Sequence, residues 1–475
     1  MKVSPLQSFR SPILCCGLAL ALPAYGQLNL QVLHSFSGGP GGQQPYAGFV
    51  QGPNGMLLGT TYQGGTNNAG VVFRVNLDGS STTPVFSFQG SNLNPGGLAN
   101  PSGLVLGADG ALYGVTGAGS AGYGDVFRIN DDGTGYTVLY TFGPSFGGPY
   151  SPSAGLVQGT DGSLFGTTQF GGLAGKGAIF KVSTNGTGFT TLHAFGVGAD
   201  GQSPQAPLLI GIDGALYGTT AGGGTGGLGT IFKLAADGSA ETVLHSFAAE
   251  AADGQSPYTA GLVQGSDGTL YGTTQQGGIT ANGTNSGFGT VFSLKPDGTG
   301  YRIIHNFAGT SEDGQYPNSS LLLGSDGVLY GVTEYGGSNN AGVVFRLNID
   351  GSGYQILYQF GSSPADGRYP AASLFQTRDG GLFGTTKFGG ANNFGTIFRL
   401  APAPPVISSL VPLPDKTVRL TVHAAANYTF RIDTSSDHKH WTTLTNLLNA
   451  NGAIQFVDYA ASNAPSRFYR AAWVP

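Results

Sequence analysis

The sequence has almost no cysteine, because Cys15 and Cys16 are the two that occur in 475 residues, and both lie near its start. The rest of the chain therefore contains no disulfide framework, and a chain of this length can rely on a hydrophobic core instead. It also lacks histidines at zinc-binding spacing, a nucleophilic serine elbow and a phosphate-binding loop. We therefore expect no metal and no cofactor.

Charged residues are equally scarce, at 9% of the chain, with 20 basic and 25 acidic side chains. Nucleic-acid binders need a basic stripe, so this balance predicts no nucleic-acid partner. Disordered chains are rich in charge, whereas 40% of this chain is hydrophobic and its 84 glycines recur at fixed places. Sparse charge with frequent glycine, threonine and aromatic residues favours many short strands joined by tight turns.

The chain also lacks an apolar run of the roughly 20 residues that a membrane helix needs. A shorter apolar stretch, Ser11–Leu22, follows Lys2 and Arg10, and residues 24–26 (Ala-Tyr-Gly) have the small side chains of a cleavage site. This pattern is typical of a secretory signal peptide, here residues 1–26. The sequence predicts an exported protein, extracellular or associated with the cell surface, without a membrane span in the mature chain.

What the sequence has in abundance is self-similarity. The phrase Leu-(Tyr/Phe/Leu)-Gly-(Thr/Val)-Thr occurs seven times, 52 to 59 residues apart. Its glycines, which we use to number the copies one to seven, are Gly59, Gly114, Gly166, Gly218, Gly272, Gly331 and Gly384. A period of this kind indicates one structural unit that is repeated along the chain.

Each copy contains four short segments rich in Val, Ile, Leu and Phe, which are strand signals. In copy five these segments are 260–265, 270–274, 289–294 and 301–307. Asp-Gly turns join strand one to two and strand three to four, while a glycine-rich loop joins two to three. Four antiparallel strands connected in this way form one blade of a β-propeller.

The two ends of the repeat region complement each other. Copy seven stops after its third strand, at 395–400, while the region opens on an orphan fourth strand at 32–36. Pairing the two would remove two open sheet edges. The sequence therefore predicts an all-β fold, with a seven-bladed β-propeller at 27–400 that is closed by an N-terminal strand, its seam lying between 28–36 and 371–400.

The composition changes after the repeats. Residues 401–405 (Ala-Pro-Ala-Pro-Pro) form a stiff Pro-rich linker. Residues 406–475 then alternate apolar and polar side chains, as at Val418, Leu420 and Val422. This alternation predicts a small β-sandwich of immunoglobulin or fibronectin type.

The repeat leaves one face of the propeller for a site. On the opposite face every turn is Asp-Gly or Asn-Gly, which we interpret as turn formers. The loops that join strand two to three are longer and vary between copies, and such loops commonly carry function. The candidate ligand-binding residues just before the glycine doublet of this loop are Tyr62, Phe170, Gln275, Gln276, Glu334, Tyr335, Lys387 and Phe388. Rings beside amide and charged groups suit sugar binding, and packing between blades is the alternative.

Other polar residues follow the repeat too regularly to indicate a site. Aspartates recur in the phrase Asp-Gly-(Gln/Arg)-x-Pro, at Asp200, Asp253, Asp313 and Asp366. Each is a lone carboxylate, which favours capping of a turn over calcium binding. Strand four carries a histidine where other copies have Phe or Tyr, at His34, His193, His245 and His305. We interpret that position as a packing position.

The repeat phrase resembles the GloVer tandem repeat of exported bacterial proteins. In copy five the matching residues are 266–274, the doublet Gly277-Gly278, and 289–292 (Gly-Thr-Val-Phe). The resemblance implies an extracellular, surface-associated protein with propeller-like repeats and a C-terminal anchoring or sorting module that varies between members. It supplies no catalytic residues, and this chain lacks the C-terminal apolar helix followed by basic residues that would be an obvious anchor.

Three functions fit these observations. The first is a secreted or cell-surface binding or adhesion protein without enzymatic activity, whose partner is an extracellular polysaccharide or another surface protein. The second is a carbohydrate-active enzyme, a glycosidase or lyase, for which Glu334 is the best acid or base since glutamates number only four. The third is a structural surface-layer component with no small ligand. We rank them in this order.

Overall fold

The computed structural model describes residues 28–90, 101–119, 121–143, 147–248, 253–279, 287–402, 405–423, 428–449, 453–463 and 467–473. Within these residues there is no α-helix, and the secondary structure consists of strands and two short 3-10 helices, Gly39–Gly41 and Tyr459–Asn463. The predicted signal peptide, residues 1–26, lies outside the described residues. The prediction of an all-β fold is confirmed.

Each copy of the repeat forms one antiparallel sheet in the order strand one, two, three, four. The first strands are Val50–Gln51, Val105–Leu106, Val157–Gln158, Leu209–Ile210, Val263–Gln264, Leu322–Leu323 and Phe375–Gln376. The second strands are Leu57–Gln63, Leu112–Thr116, Leu164–Thr168, Leu216–Thr220, Leu270–Thr274, Val328–Thr333 and Leu382–Gly389.

The outer half of each sheet is built in the same way. The third strands are Val71–Val75, Asp125–Ile129, Ala178–Val182, Thr230–Leu234, Thr290–Leu294, Val343–Asn348 and Thr396–Pro402. The fourth strands are Thr82–Ser87, Thr137–Thr141, Thr190–Ala194, Glu241–Ser246, Arg302–Asn306 and Gln355–Gln359, and Leu28–Ser35 in the last sheet.

A short entry strand precedes strand one in five copies and pairs with the end of strand two or the glycine doublet that follows it. The entry strands are Gln43–Pro45, Gly201–Gln202, Gly254–Gln255, Gly314–Gln315 and Gly367–Pro370. Their partners in copies four to six are Gly222–Gly223, Gln276–Gly277 and Tyr335–Gly336. These pairs of hydrogen-bonded strands hold the backbone of the loops on the longer-looped face.

The glycine of the repeat phrase is explained by packing. In every copy it lies opposite a phenylalanine of strand three, as Gly218 lies opposite Phe232 and Gly272 opposite Phe292. A Cβ atom added to Gly218 would stand 2.5 Å from Cζ of Phe232, with Leu208, which directly precedes strand one, 3.0 Å away. Because real Cβ atoms never approach so closely, the ring needs glycine beneath it.

The Asp-Gly turns behave as the sequence predicts. In copy four Asp213 accepts the N–H of Ala215, and Gly214 has a φ of +79°, in the region that favours glycine. Asp213 also forms an ion pair of 2.8 Å with Lys233 of strand three. The Lys or Arg that recurs in strand three therefore holds the turn in several copies.

The N-terminal strand is hydrogen-bonded into the last sheet, which has the order Leu28–Ser35, Thr396–Pro402, Leu382–Gly389, Gly367–Pro370. Two further bonds join copies seven and one, from the N–H of Phe36 to the Gly395 carbonyl (3.0 Å) and from the N–H of Gln44 to the Phe394 carbonyl (2.8 Å). The strand that opens the repeat region thus completes the sheet that ends it.

The buried side chains form clusters between neighbouring sheets. One cluster joins Val72 and Phe88 of copy one to Leu112 and Phe127 of copy two, and equivalent clusters follow between each pair of successive copies. A further cluster joins the last sheet to the first through Phe36, Phe73, Phe383 and Ile397. The hydrophobic core therefore runs between the sheets in cyclic order.

Residues 402–473 form a compact unit separate from residues 28–401. Its strands are Val406–Pro412, Val418–His423, Tyr428–Ser435, Thr442–Asn449, Ala453–Asp458 and Phe468–Trp473. They make two three-stranded sheets that share a core of Leu420, Val422, Phe430 and Ile432. The strand of copy seven that precedes them runs to Pro402, two residues into the predicted linker.

Candidate functional site

The candidate residues stand where strand two ends and the glycine doublet begins, a place that the second threonine of the repeat phrase fixes. Thr386 Oγ1 donates to the carbonyl oxygen of Phe388 at 2.9 Å and accepts the N–H of Thr396. Thr333 makes the same bond to the carbonyl of Tyr335. The scaffold therefore holds one backbone conformation while the side chains at this place vary between copies.

Glu334 and Lys387, candidates from copies six and seven, come together in the structure. Lys387 Nζ lies 2.7 Å from Glu334 Oε1, and the two side chains are only 14% and 13% exposed. Glu334 Oε2 accepts a hydrogen bond from Asn318 Nδ2 at 3.3 Å. Both oxygens of the carboxylate are thus engaged, which favours a positioning role over the role of acid or base.

Tyr46 of copy one extends this network across the junction of copies seven and one. Lys387 Nζ lies 4.5 Å from the centre of the Tyr46 ring, a cation–π contact, and the Tyr62 ring lies 6.3 Å from that of Tyr46. Burial alone would lower the pKa of the Lys387 ammonium, but Tyr46 and Glu334 outweigh it and raise that pKa. Lys387 is therefore held as a cation.

A continuous arc of aromatic rings lies beside this pair. Its ring centres are separated by 5.7 Å from Phe288 to Tyr316, 6.0 Å to Tyr335, 5.0 Å to Tyr369 and 6.1 Å to Phe388. Each of the five rings is partly exposed. We call this set, which spans copies five to seven, the aromatic arc.

The aromatic arc and the ion pair belong to one site. Burial and, next, the negative charge of Glu334 raise the pKa of the Tyr335 hydroxyl, which also interacts with the charges of Lys387 and Tyr369. Partly exposed rings with a charge pair beside them can stack on apolar faces and hydrogen-bond to hydroxyls.

Phe170, another candidate, lies in a separate cluster. Its ring stacks on Tyr150 at 5.6 Å, and Tyr150 contacts Tyr123 at 5.9 Å. Phe170 is 38% exposed. Phe170 therefore belongs to a cluster of copies two and three, whereas Glu334 and Tyr335 lie in copy six.

Gln275 and Gln276 serve the backbone of copy five in the structure. The N–H of Gln275 donates to the Ser256 carbonyl at 3.1 Å, and Gln276 pairs with Gln255 of the entry strand. The Gln276 side chain is exposed and that of Gln275 is partly buried. Among the described residues, no side-chain hydrogen bond joins either glutamine to the aromatic arc.

The histidines of strand four do more than pack. His245 Nε2 lies 3.1 Å from Asp253 and His305 Nε2 lies 3.4 Å from Asp313. Each aspartate also accepts a tyrosine hydroxyl from the next copy, and each tyrosine stacks on the histidine. Among the residues that the structure covers, no group of three or more His, Cys, Asp or Glu could hold a metal ion.

Sequence reasoning missed Tyr46, Phe288, Asn318, Tyr316 and Tyr369. Tyr316 and Tyr369 precede a proline and have φ values of +56° and +59°, at a place where copies one and two have Gln44 and Asn100 and copies three to five have serine. A tyrosine at a strained position that other copies fill with small or amide side chains is the signal that could have identified two of these rings. Tyr46 and Asn318 follow that proline, but copies four and five also have large residues there, Gln205 and Tyr258, so the sequence does not mark these two.

The model of the Gloeobacter/Verrucomicrobia repeat matches residues 22–152, 148–284 and 278–429. The chain belongs to this family. The resemblance to the GloVer repeat that the sequence indicates is thereby confirmed. Each of the three matched segments spans more than one copy of the repeat. No curated protein matches the chain.

Several solved structures are similar to the chain at low identity. Oligogalacturonate lyase from Vibrio parahaemolyticus is 13% identical, with a TM-score of 0.48, over 79% of this chain and 97% of that one. TolB from Acinetobacter baumannii is 14% identical, with a TM-score of 0.38, over 66% and 63%. A protein of unknown function from Dyadobacter fermentans is 13% identical, with a TM-score of 0.40, over 64% and 93%.

Proposed function

We propose that this family member is an exported binding or adhesion protein that holds a polysaccharide on the longer-looped face of a seven-bladed β-propeller. The aromatic arc beside the Glu334–Lys387 pair is the observation that carries this proposal. The proposal of export rests on the signal peptide that the sequence predicts at residues 1–26. No helix among the described residues is long and apolar enough to span a membrane.

The architecture in this proposal rests on two observations. Seven four-stranded sheets are linked by hydrophobic clusters in cyclic order, and the last sheet takes its outer strand from the start of the region. This favours a closed propeller over an open solenoid, since closure removes the free edges. The shared core of the two C-terminal sheets favours a β-sandwich for residues 406–475.

The ligand class follows from the chemistry of the face. Five partly exposed rings in contact offer an extended apolar surface, which suits a chain of sugar rings better than a single small molecule. Glu334 and Lys387 neutralise each other, so this pair adds no net charge that would select an acidic or basic ligand. A polysaccharide lying along the arc meets the rings, while the buried Asn318 amide holds Glu334 in place.

A binding assay with single-ring variants tests the site. We expect binding to a polysaccharide found on a glycan array to weaken about tenfold or more for Tyr335→Ala and for Phe388→Ala. Phe170→Ala is the matched control, because it removes an exposed ring of the same face from the separate cluster. Equal binding by the double variant Tyr335→Ala with Phe388→Ala would rule the arc out as the site. Loss of binding with Phe170→Ala alone would move the site to copies two and three.

A further inference from the structure

On the Asp-Gly turn face, a glutamine at the end of strand one bridges neighbouring copies. Its Oε1 atom accepts an N–H from the turn of the preceding copy, as in Ala108 to Gln158 (2.8 Å), Ile212 to Gln264 (2.8 Å) and Ser325 to Gln376 (2.9 Å). The three glutamines stand in copies three, five and seven, and the three donors in copies two, four and six. The bridge therefore joins an even copy to the odd copy that follows it.

The residue at this position alternates along the chain. Odd copies have Gln51, Gln158, Gln264 and Gln376, and even copies have Leu106, Ile210 and Leu323. An alternation of two types cannot close on itself around an odd number of copies. It fails where copy seven meets copy one, since both are of the glutamine type. There Gln51 faces the turn that carries Arg378 in place of an even-copy donor.

The bridge is absent at that junction. The side-chain nitrogen of Gln51 donates to the carbonyl of Gly55 at 2.9 Å, as Gln158 and Gln264 do in their own turns. Within the part of the chain that the structure describes, no hydrogen bond reaches Gln51 Oε1 from the N–H of Arg378. The acceptor and the backbone donor that are joined at the bridged junctions therefore remain unjoined here, and both residues line the same cleft.

A cleft of about 840 Å³ opens at this place, which we call the seam cleft. An inter-copy cleft at the same level, between copies five and six, measures about 320 Å³. Sites for small organic molecules commonly have volumes of roughly 300–1,000 Å³. The seam cleft therefore has room for a ligand of several rings.

The lining of the seam cleft defines the chemistry of that ligand. Gln31 and Gln51 present amides, while Pro53 and Leu77 present apolar surface, and Leu77 is 37% exposed. The charged residues of the lining are two arginines and two aspartates, and Arg399 is ion-paired with Asp379. These four charges balance, which favours a neutral ligand over an acidic or basic one.

We propose that the seam cleft binds a neutral carbohydrate of one to three sugar rings. A hydroxyl group is donor and acceptor at once, so one sugar hydroxyl can bond to Gln51 Oε1 and to the N–H of Arg378, restoring the missing bridge. The C–H faces of the sugar then pack on Leu77 and Pro53. This site lies on the turn face and is independent of the aromatic arc.

Calorimetric titration of the full chain with cellotriose, maltotriose and laminaritriose tests the proposal. We expect at least one trisaccharide to bind, and Gln51→Leu, which imitates the even copies, to weaken it about tenfold. Arg378→Ala, which keeps the backbone N–H, is expected to weaken it less. Gln264→Leu, at a bridged junction, is the matched control and leaves the affinity unchanged. Thermal unfolding of each variant confirms that it is folded.

Any of four results in these titrations would overturn the proposal: no binding of any trisaccharide at millimolar concentration, wild-type affinity in Gln51→Leu, equal weakening in Gln264→Leu, or stronger binding of a trigalacturonate than of the neutral sugars. The aromatic arc double variant Tyr335→Ala with Phe388→Ala separates the two sites. If it abolishes polysaccharide binding and leaves trisaccharide binding intact, the seam cleft stands independently of the proposed function. If it abolishes trisaccharide binding as well, the sugar sits on the arc and the seam-cleft proposal fails.

Discussion

Thr385 Oγ1 in copy seven lies 3.4 Å from the carbonyl oxygen of Pro45 in copy one, which places a hydrogen bond between residues 340 positions apart. The first threonine of the repeat phrase reaches the next copy in the same way elsewhere, as Thr219 reaches Ala260 and Thr60 reaches Ser102. Copy seven is thus bonded to copy one in the same way as each of these copies is bonded to the next. These bonds are buried, where a hydroxyl without a partner is costly.

Replacement of Thr385 by valine therefore tests closure of the ring. Valine fits the position, because Val115 and Val332 occupy it in copies two and six. We expect Thr385→Val to lower the free energy of unfolding by about 1 kcal/mol, because the hydrogen bond is lost and the buried Pro45 carbonyl loses this donor. Urea unfolding measures the change, and Thr219→Val is the control within the ring. An effect in Thr219→Val with none in Thr385→Val would show that the last and first copies are not joined.

The glycine of the repeat phrase gives a second prediction. Gly218→Ala places a Cβ atom 2.5 Å from the Phe232 ring, which cannot move away because Leu208 and the neighbouring copy enclose it. We expect a loss of stability of about 1–3 kcal/mol from overpacking, measured by chemical unfolding. Gly214→Ala, at a turn glycine with open space around its Cβ, is the contrasting control, since its cost is one of backbone conformation. Unchanged stability in Gly218→Ala would contradict the packing explanation.

The buried ion pair of Glu334 and Lys387 gives a third prediction. Glu334→Gln leaves the ammonium of Lys387 buried beside a neutral amide, and we expect it to lower stability by about 3 kcal/mol. Lys387→Met in the same chain removes that unpaired charge and should restore much of the loss. A double-mutant cycle in urea measures the coupling. Additive effects of the two substitutions would mean that the 2.7 Å contact contributes nothing.

The sequence predicts the parts of the fold that depend on local chemistry. Asp-Gly turns, alternating strands and the orphan strand at 32–36 all follow from short-range rules, and the structure agrees with each. Strand one is the exception: residues 260–265 were expected to pair, but the strand is Val263–Gln264 only. Ala260 and Gly261 bond instead to Thr219 and Ser320 of the neighbouring copies, which no local pattern indicates.

The candidate site likewise combines residues that the local sequence pattern identifies with residues that only contacts between copies bring to it. The sequence identifies Glu334, Tyr335, Lys387 and Phe388 because they occupy two adjacent positions that vary within an otherwise regular phrase. Tyr46 escaped, because it lies in copy one and meets Lys387 only when the ends of the repeat region come together. The alternation of glutamine with aliphatic residues could have been read from the sequence, but its consequence appears only when seven copies are closed into a cycle.

Glu241 gives the last prediction, one of pH dependence. It stands where copies five and six have Tyr301 and Tyr354, whose hydroxyls donate to Asp253 and Asp313. Glu241 instead interacts with the charges of His193 and Asp200, and no described residue bonds to its buried Oε1. Burial, together with the charge of Asp200 and against that of His193, raises the pKa of the Glu241 carboxyl above its ordinary value of 4.5.

A carboxyl whose pKa is raised on folding favours the folded state while it is protonated, below pH 4.5 here, and this stabilisation is lost as the pH rises through the raised pKa. The difference in unfolding free energy between the wild type and Glu241→Gln should therefore shift against the wild type between pH 4 and pH 7. Glu241→Tyr, which imitates copies five and six, should be more stable than the wild type at pH 7, because its hydroxyl can donate to Asp200. Urea unfolding of the three proteins across this range measures both effects. A constant difference between the wild type and Glu241→Gln at all pH values would show that the Glu241 carboxyl is solvated in the folded protein. Protonation of Glu241 would then not stabilise copy four.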